Sequence, residues 1–159
     1  MGTRSLTVIN DEWDNEEICV LYRQYDGYPE GHGTDLLNFL KNMNLVNGIN
    51  SKNIKLRISN GMDCLAAQIV AHFKQQPGYF YLQSTGTRDV GEEYIYTIYT
   101  KDRMLYIKVE DLYNDGHDLF DGNINQYEEW LNTPEITGDK DTDALLEDEK
   151  LAQEGEQNG

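Results

Sequence analysis

Tyr94-Ile95-Tyr96-Thr97-Ile98-Tyr99-Thr100-Lys101-Asp102-Arg103-Met104-Leu105-Tyr106-Ile107-Lys108-Val109 decides the fold class. Two runs rich in Tyr, Ile and Val suit a pleated, half-buried surface. They flank Lys101-Asp102-Arg103, a connection short enough for a hairpin. Upstream, residues 4–10 alternate Leu6 and Val8 with polar neighbours, and residues 18–24 read as their partner. The polar turn between them, residues 11–17, carries an isolated Trp13. Residues 79–82 add another strand. Strands without regular helical crossovers predict an α+β fold, an antiparallel sheet of about five strands with two to three helices packed on one face.

The helices read from periodicity. Leu36, Leu37, Leu40 and Met43 share one face of a helix running from Thr34 to about Asn44, with the Thr34 hydroxyl as cap and Asp35 at the positive end of the dipole. Leu65, Ile69 and Phe73 recur at i, i+4 and i+8, widened by Ala66 and Val70. Asn60 or Asp63 caps that helix, Pro77-Gly78 ends it, and Ala66, Ala67 and Ala71 let it lie close to a sheet. Asn123 starts a last helix with Gln126 at the capping-box position and Ile124, Tyr127 and Leu131 inward. Residues 44–60 read as a loop with a short strand at 54–58. Leu119 and Phe120 form an apolar pair before an Asp121-Gly122 turn.

The chain has 159 residues, a net charge of −16 and two cysteines. One domain is expected over residues 1–134, followed by an acidic, disordered tail at 135–159. The tail holds nine acids against Lys140 and Lys150, so the rest still carries −9. Such a surface repels nucleic acid and anionic membranes and attracts basic proteins. No apolar run reaches the roughly 20 residues of a membrane span, and the start lacks the apolar segment of a signal peptide. A cytoplasmic protein is expected. Cys19 and Cys64 read as small core residues, with no Cys-x-x-Cys for zinc or redox work.

The chemistry concentrates in Tyr22-Arg23-Gln24-Tyr25-Asp26-Gly27-Tyr28-Pro29-Glu30-Gly31-His32-Gly33, between a strand and a helix. Arg4 and Arg23 fall at the same end of the first hairpin, beside this loop. Gly31, His32, Gly33 and Thr34 lead into a helix start, where free N–H groups and the dipole favour an anion. Glycine lets backbone approach a ligand closely, an arginine fork suits phosphate, and Tyr22, Tyr25 and Tyr28 offer rings to stack on a base. Arg4, Arg23, Tyr25, Asp26, Tyr28, Gly31, His32, Gly33 and Thr34 thus describe a pocket for a phosphorylated ligand, nucleotides included. The plain alternative is structural: Asp26-Gly27 and Pro29-Glu30-Gly31 form turns, Arg23 pairs with Asp26, and His32 packs. An enzymatic alternative makes His32 a general base oriented by Asp26, with Thr3 or Ser5 as nucleophile. Neither a nucleophile elbow nor a P-loop is present.

Glu110, Asp111, Asp115, His117, Asp118 and Asp121 form a second cluster. Their spacing fails the EF-hand pattern, so they read as a solvated acidic loop, and no metal or other cofactor is expected. His72 reads as a partly buried neighbour of the core.

Met1-Gly2-Thr3-Arg4-Ser5-Leu6-Thr7 together with the Tyr22–Gly33 stretch resembles a family of small phage and bacterial proteins. The resemblance continues through Leu45-Val46-Asn47-Gly48 and Asn60-Gly61-Met62-Asp63-Cys64-Leu65-Ala66-Ala67-Gln68, over roughly the first 110 residues. It implies an origin and not a mechanism. With it comes the expectation of a protein that counters host defence from the host cytoplasm.

The leading expectation is therefore a non-enzymatic protein that sequesters a phosphorylated small molecule or nucleotide signal. One alternative is an acidic inhibitor that binds a basic, DNA-binding host protein. The other is a small hydrolase or transferase working through His32. Direct binding of nucleic acid or membrane is not expected. The tyrosine-rich strands either lie under the helices or pair between subunits.

Overall fold

A computed structural model describes residues 2–50, 57–114 and 116–133. The first hairpin pairs β1 (Ser5–Asn10) with β2 (Glu17–Arg23), antiparallel, from Ser5↔Arg23 to Asn10↔Glu17. The second pairs β6 (Tyr94–Lys101) with β7 (Met104–Asp111), Lys101 opposite Met104. Its turn residues, Asp102 and Arg103, both have positive φ, +53° and +65°, the backbone twist that two-residue hairpins favour.

These hairpins join into one six-stranded sheet, with short β5 (Phe80–Gln83) on one edge and β8 (His117–Asn123) on the other. The join corrects the expected antiparallel sheet: β1 and β6 run parallel, Ser5 opposite Tyr94 through Ile98 opposite Ile9. Strand direction between non-consecutive elements is set by how the chain returns, and hydrophobic period carries no trace of it. Every residue of β1 is buried, as suits a central strand covered on both faces. β8 replaces the expected acidic loop and Asp121-Gly122 turn. Pairing with β7, Ile107 opposite Gly122, outweighs the local turn propensity of that dipeptide.

Three helices cover one face: α1 (Thr34–Leu40), α2 (Gly61–Phe73) and α3 (Ile124–Leu131). Leu36, Leu40, Met62, Leu65, Ile69 and Tyr127 pack on Ile9, Leu21, Tyr96, Ile98, Ile107 and Val109 of the sheet. The opposite face buries Leu6, Val8, Val20 and Ile95. A small parallel pair, β3 (Asn44–Val46) and β4 (Ile58–Asn60), lies beside α2.

Helix ends divide into local and tertiary solutions. α3 has the expected capping box: Gln126 N–H donates to Asn123 Oδ1 at 2.9 Å, and Asn123 N–H donates to Gln126 Oε1 at 2.8 Å. α2 does not use an Asn60 or Asp63 side chain. The Glu12 carboxylate, 50 residues upstream, accepts the Met62 N–H at 3.3 Å. α1 stops at Leu40 rather than Asn44, because Lys41 is extended and Asn42 takes φ +65°.

Ala66 is buried against the sheet, whereas Ala67, Ala71 and His72 are exposed. Both cysteines are free and half-buried. No helix among the described residues is long and apolar enough to cross a membrane. The expected tail at 135–159, residues 54–56 of the expected short strand, and Asp115 lie outside the described residues.

Candidate functional site

Arg23 ends β2 on the helix-covered face, with only 5% of its surface exposed. Its Nε–H donates to the Tyr25 carbonyl at 2.6 Å. Nη1 donates to His32 Nδ1 at 2.9 Å and to Asp35 Oδ2 at 2.8 Å, and Nη2 donates to the Tyr79 hydroxyl at 2.8 Å. The Tyr79 ring lies 5.1 Å below the guanidinium, with its backbone at φ +73°. A bulky residue at positive φ is strained, and strain of this kind collects where surrounding contacts over-determine a position.

His32 is fully buried. Arginine can only donate, so Nδ1 accepts and Nε2 keeps the proton, which points to Thr7 Oγ1 at 2.6 Å. Burial first, and then the charge of Arg23, hold the imidazole pKa well below its ordinary 6.5. A neutral ring with both nitrogens engaged and no exposed surface does not reach a substrate proton. Asp26 does not orient it: the Asp26 carboxylate accepts from the Tyr28 hydroxyl at 3.3 Å, and only its backbone oxygen meets the His32 N–H. Ser5, one of the expected nucleophiles, is likewise wholly buried.

The loop glycines also turn inward. A Cβ on Gly27 would meet Ser5 Oγ at 2.8 Å, one on Gly31 the Asp26 carbonyl at 2.5 Å, and one on Gly33 the Tyr127 hydroxyl at 2.8 Å. These residues let backbone approach the protein's own atoms. The Tyr96 hydroxyl donates to the Gly27 carbonyl at 2.7 Å, and the Tyr127 hydroxyl to that of Gly33 at 2.9 Å.

No open helix start exists here. Pro29–Gly33 forms a π-helical turn running straight into α1. The N–H groups of Gly31, His32, Gly33 and Thr34 all find backbone carbonyls. The Thr34 hydroxyl donates back to the Pro29 carbonyl at 3.5 Å instead of capping.

The two arginines do not converge. Ser5, opposite Arg23, faces the helices, whereas Arg4 packs its guanidinium on Gly91. Tyr22 turns to the opposite face beside Tyr81. Of the expected ligand-binding set the structure brings together Arg23, His32 and, through its carbonyl, Tyr25. Tyr25 exposes its ring 5.8 Å from Tyr79. Arg4 lies apart from this group, Asp26 and Tyr28 stand exposed and bonded to each other, and the Gly31–Thr34 backbone N–H groups bond to backbone carbonyls.

No family model, curated protein or solved structure matches this chain.

Arg23 opens onto a surface pocket of about 370 Å³ between α1, the end of α2 and β5. Asp35, Asn38, His72, Phe73 and Tyr79 line it with Arg23. The Asp35 side chain is 47% exposed and gives Arg23 a half-solvated counter-charge. Asn38, His72 and Tyr79 had no motif to mark them, since they come from α1, α2 and the turn before β5.

A larger pocket, about 520 Å³, lies at the carboxyl ends of both parallel pairs and is lined by Glu12, Trp13, Asn47, Asn60, Asp102 and Arg103 among others. In open sheets, carboxyl ends of parallel strands are where ligands gather. The legible signal was a lone tryptophan in an acidic turn. The second acidic cluster is drawn into paired strands, Glu110 opposite Asp118 and Asp111 opposite His117. Among the described residues, the carboxylates close enough to share an ion are instead Asp11, Asp14 and Glu16.

Proposed function

We propose that this chain binds an anionic small molecule, a phosphorylated compound of the nucleotide class, at the pocket onto which Arg23 opens. One observation carries the reading: a buried guanidinium lines a surface pocket and meets protein with four of its five N–H groups. The remaining Nη2–H and the Tyr79 hydroxyl proton are two donors for one oxyanion. A charge-assisted bond of that kind is worth about twice a neutral one. Asn38 and His72 add polar groups, and the Tyr79 and Tyr25 rings offer a stacking surface. The chemistry is that of a holder: no nucleophile–base pair faces the pocket among the described residues. The role that goes with a holder is sequestration of such a ligand, and a host defence signal is the ligand a phage origin would suggest.

Asp35 competes with any anion for Arg23, which makes the reading testable in two directions. Calorimetric titration with pyrophosphate and nucleoside diphosphates should show Asp35→Asn binding at least about threefold tighter than wild type. Tyr79→Phe should bind about five- to tenfold weaker, the loss of one hydrogen bond. Failure of every phosphorylated probe to bind, or affinities indifferent to both substitutions, overturns the reading.

A further inference from the structure

The 520 Å³ pocket does not stand alone. A second, of about 350 Å³, adjoins it, and both are walled by Leu45 and Arg103. Together they form a groove past the β6–β7 turn. Each pocket carries a large apolar side chain in solvent, Trp13 with 82% of its surface exposed in the larger and Met104 with 51% in the smaller. Asparagine side chains recur along it, Asn47 and Asn60 in one pocket and Asn44 and Asn123 in the other. The Oδ1 atoms of Asn60 and Asn123 already accept the Gly48 and Gln126 N–H groups, which leaves their Nδ2–H groups and the Asn47 amide for an extended backbone, and exposed apolar anchors suit its side chains.

The indole is presented on a built loop. Asp11 Oδ1 accepts the N–H groups of Trp13, Asp14 and Asn15, each at 3.0 Å, and Asp11 N–H donates to the Glu16 carbonyl at 2.8 Å. A loop backbone already fixed loses little entropy on binding.

Charge says what seats there. Asp11, Glu12, Asp14 and Glu16 neighbour Trp13 in sequence, and Glu12 and Asp102 line the pocket with it, against Arg103 as the cation of the lining. The chain carries −16 overall. A cation over an indole gains from the ring quadrupole, and a field of this sign steers basic partners inward and repels nucleic acid.

We propose that this groove docks an extended basic segment of a protein partner, with an arginine or lysine side chain seated against Trp13 between Glu12 and Asp102. Electrostatic attraction sets the encounter, and Trp13 is the anchor whose loss is felt most. This surface is separate from the Arg23 pocket and does not depend on it.

The test uses a capped eight-residue peptide alternating arginine and alanine, followed by 15N–1H spectra of the full chain. The peptide should shift the Trp13 indole N–H and the amides of Asn47, Gly61, Arg103 and Met104, leaving Asn38 and Tyr79 in place. Trp13→Ala, at an exposed site that does not endanger folding, should weaken binding at least tenfold. Asp102→Asn, tolerant of φ +53°, should weaken it several-fold, and binding should fall steeply between 50 and about 300 mM salt. Three results overturn the proposal. They are shifts scattered over the whole acidic surface, affinity unchanged in Trp13→Ala, or arginine amide alone binding as tightly as the peptide, which would make the groove a small-cation site.

Discussion

Arg23 Nη1 donates to Nδ1 of His32 across 2.9 Å, and this contact fixes the role of both residues. It leaves the imidazole proton on Nε2, aimed at Thr7, and excludes a second proton from the ring. The histidine that looks like a catalytic base in the sequence is the neutral hinge of a buried polar chain running from Thr7 to Asp35.

A pH dependence follows from that chain. A base whose pKa is depressed by folding takes its proton more readily when unfolded. Above 6.5, the ordinary value, neither state binds the proton and stability is full. Below it stability falls, by up to about 1.4 kcal/mol per pH unit until the folded pKa is reached. Urea midpoints at pH 7.5 and 5.5 should drop more for the wild type than for His32→Gln. Equal drops in both would assign the loss to carboxylates.

Thr7→Val keeps the shape of the side chain and removes the acceptor of the His32 Nε2–H. A buried donor left without a partner costs about 1–3 kcal/mol. Urea unfolding should show that loss with an unchanged m-value, and a variant as stable as wild type would place the Nε2 proton elsewhere.

Gly33→Ala puts a methyl group 2.8 Å from the Tyr127 hydroxyl, which displaces the bond from that hydroxyl to the Gly33 carbonyl. Overpacking of this kind costs about 1–3 kcal/mol. Tyr127→Phe removes the obstructing oxygen, so the double variant should lose less than the sum of the two singles. Strict additivity in the double-mutant cycle would show that the two sites do not touch.

Asn123→Ala removes one half of the capping box at α3. A loss of about 1 kcal/mol is expected, and Asn123→Asp should retain most of the stability. Chemical denaturation of both variants checks the difference.

The hairpins, the three helix cores and the α3 cap are legible in the sequence because each rests on neighbours a few residues apart. Strand alternation, the 3.6-residue period and Asn123 with Gln126 all belong to that class. The α2 cap was not legible, since Glu12 reaches it from 50 residues away. Nor was β8, where pairing with β7 overrides the Asp121-Gly122 turn preference. In the Tyr22–Gly33 stretch the residues to watch were legible, but not the direction in which they point. Arg23 is buried yet lines a surface pocket, whereas His32 and Gly33 are buried against the protein's own atoms.

By itself, then, the sequence determined the two hairpins, the inward faces of the helices and a strongly acidic chain, because periodicity and charge are local or additive properties. Only the tertiary structure decided that β1 and β6 run parallel, that His32 and Gly33 of the glycine-rich loop are buried, and that Asn38, His72 and Tyr79 meet at Arg23. Those depend on contacts between residues distant in the chain, whose energies are realised only once the sheet and helices have packed.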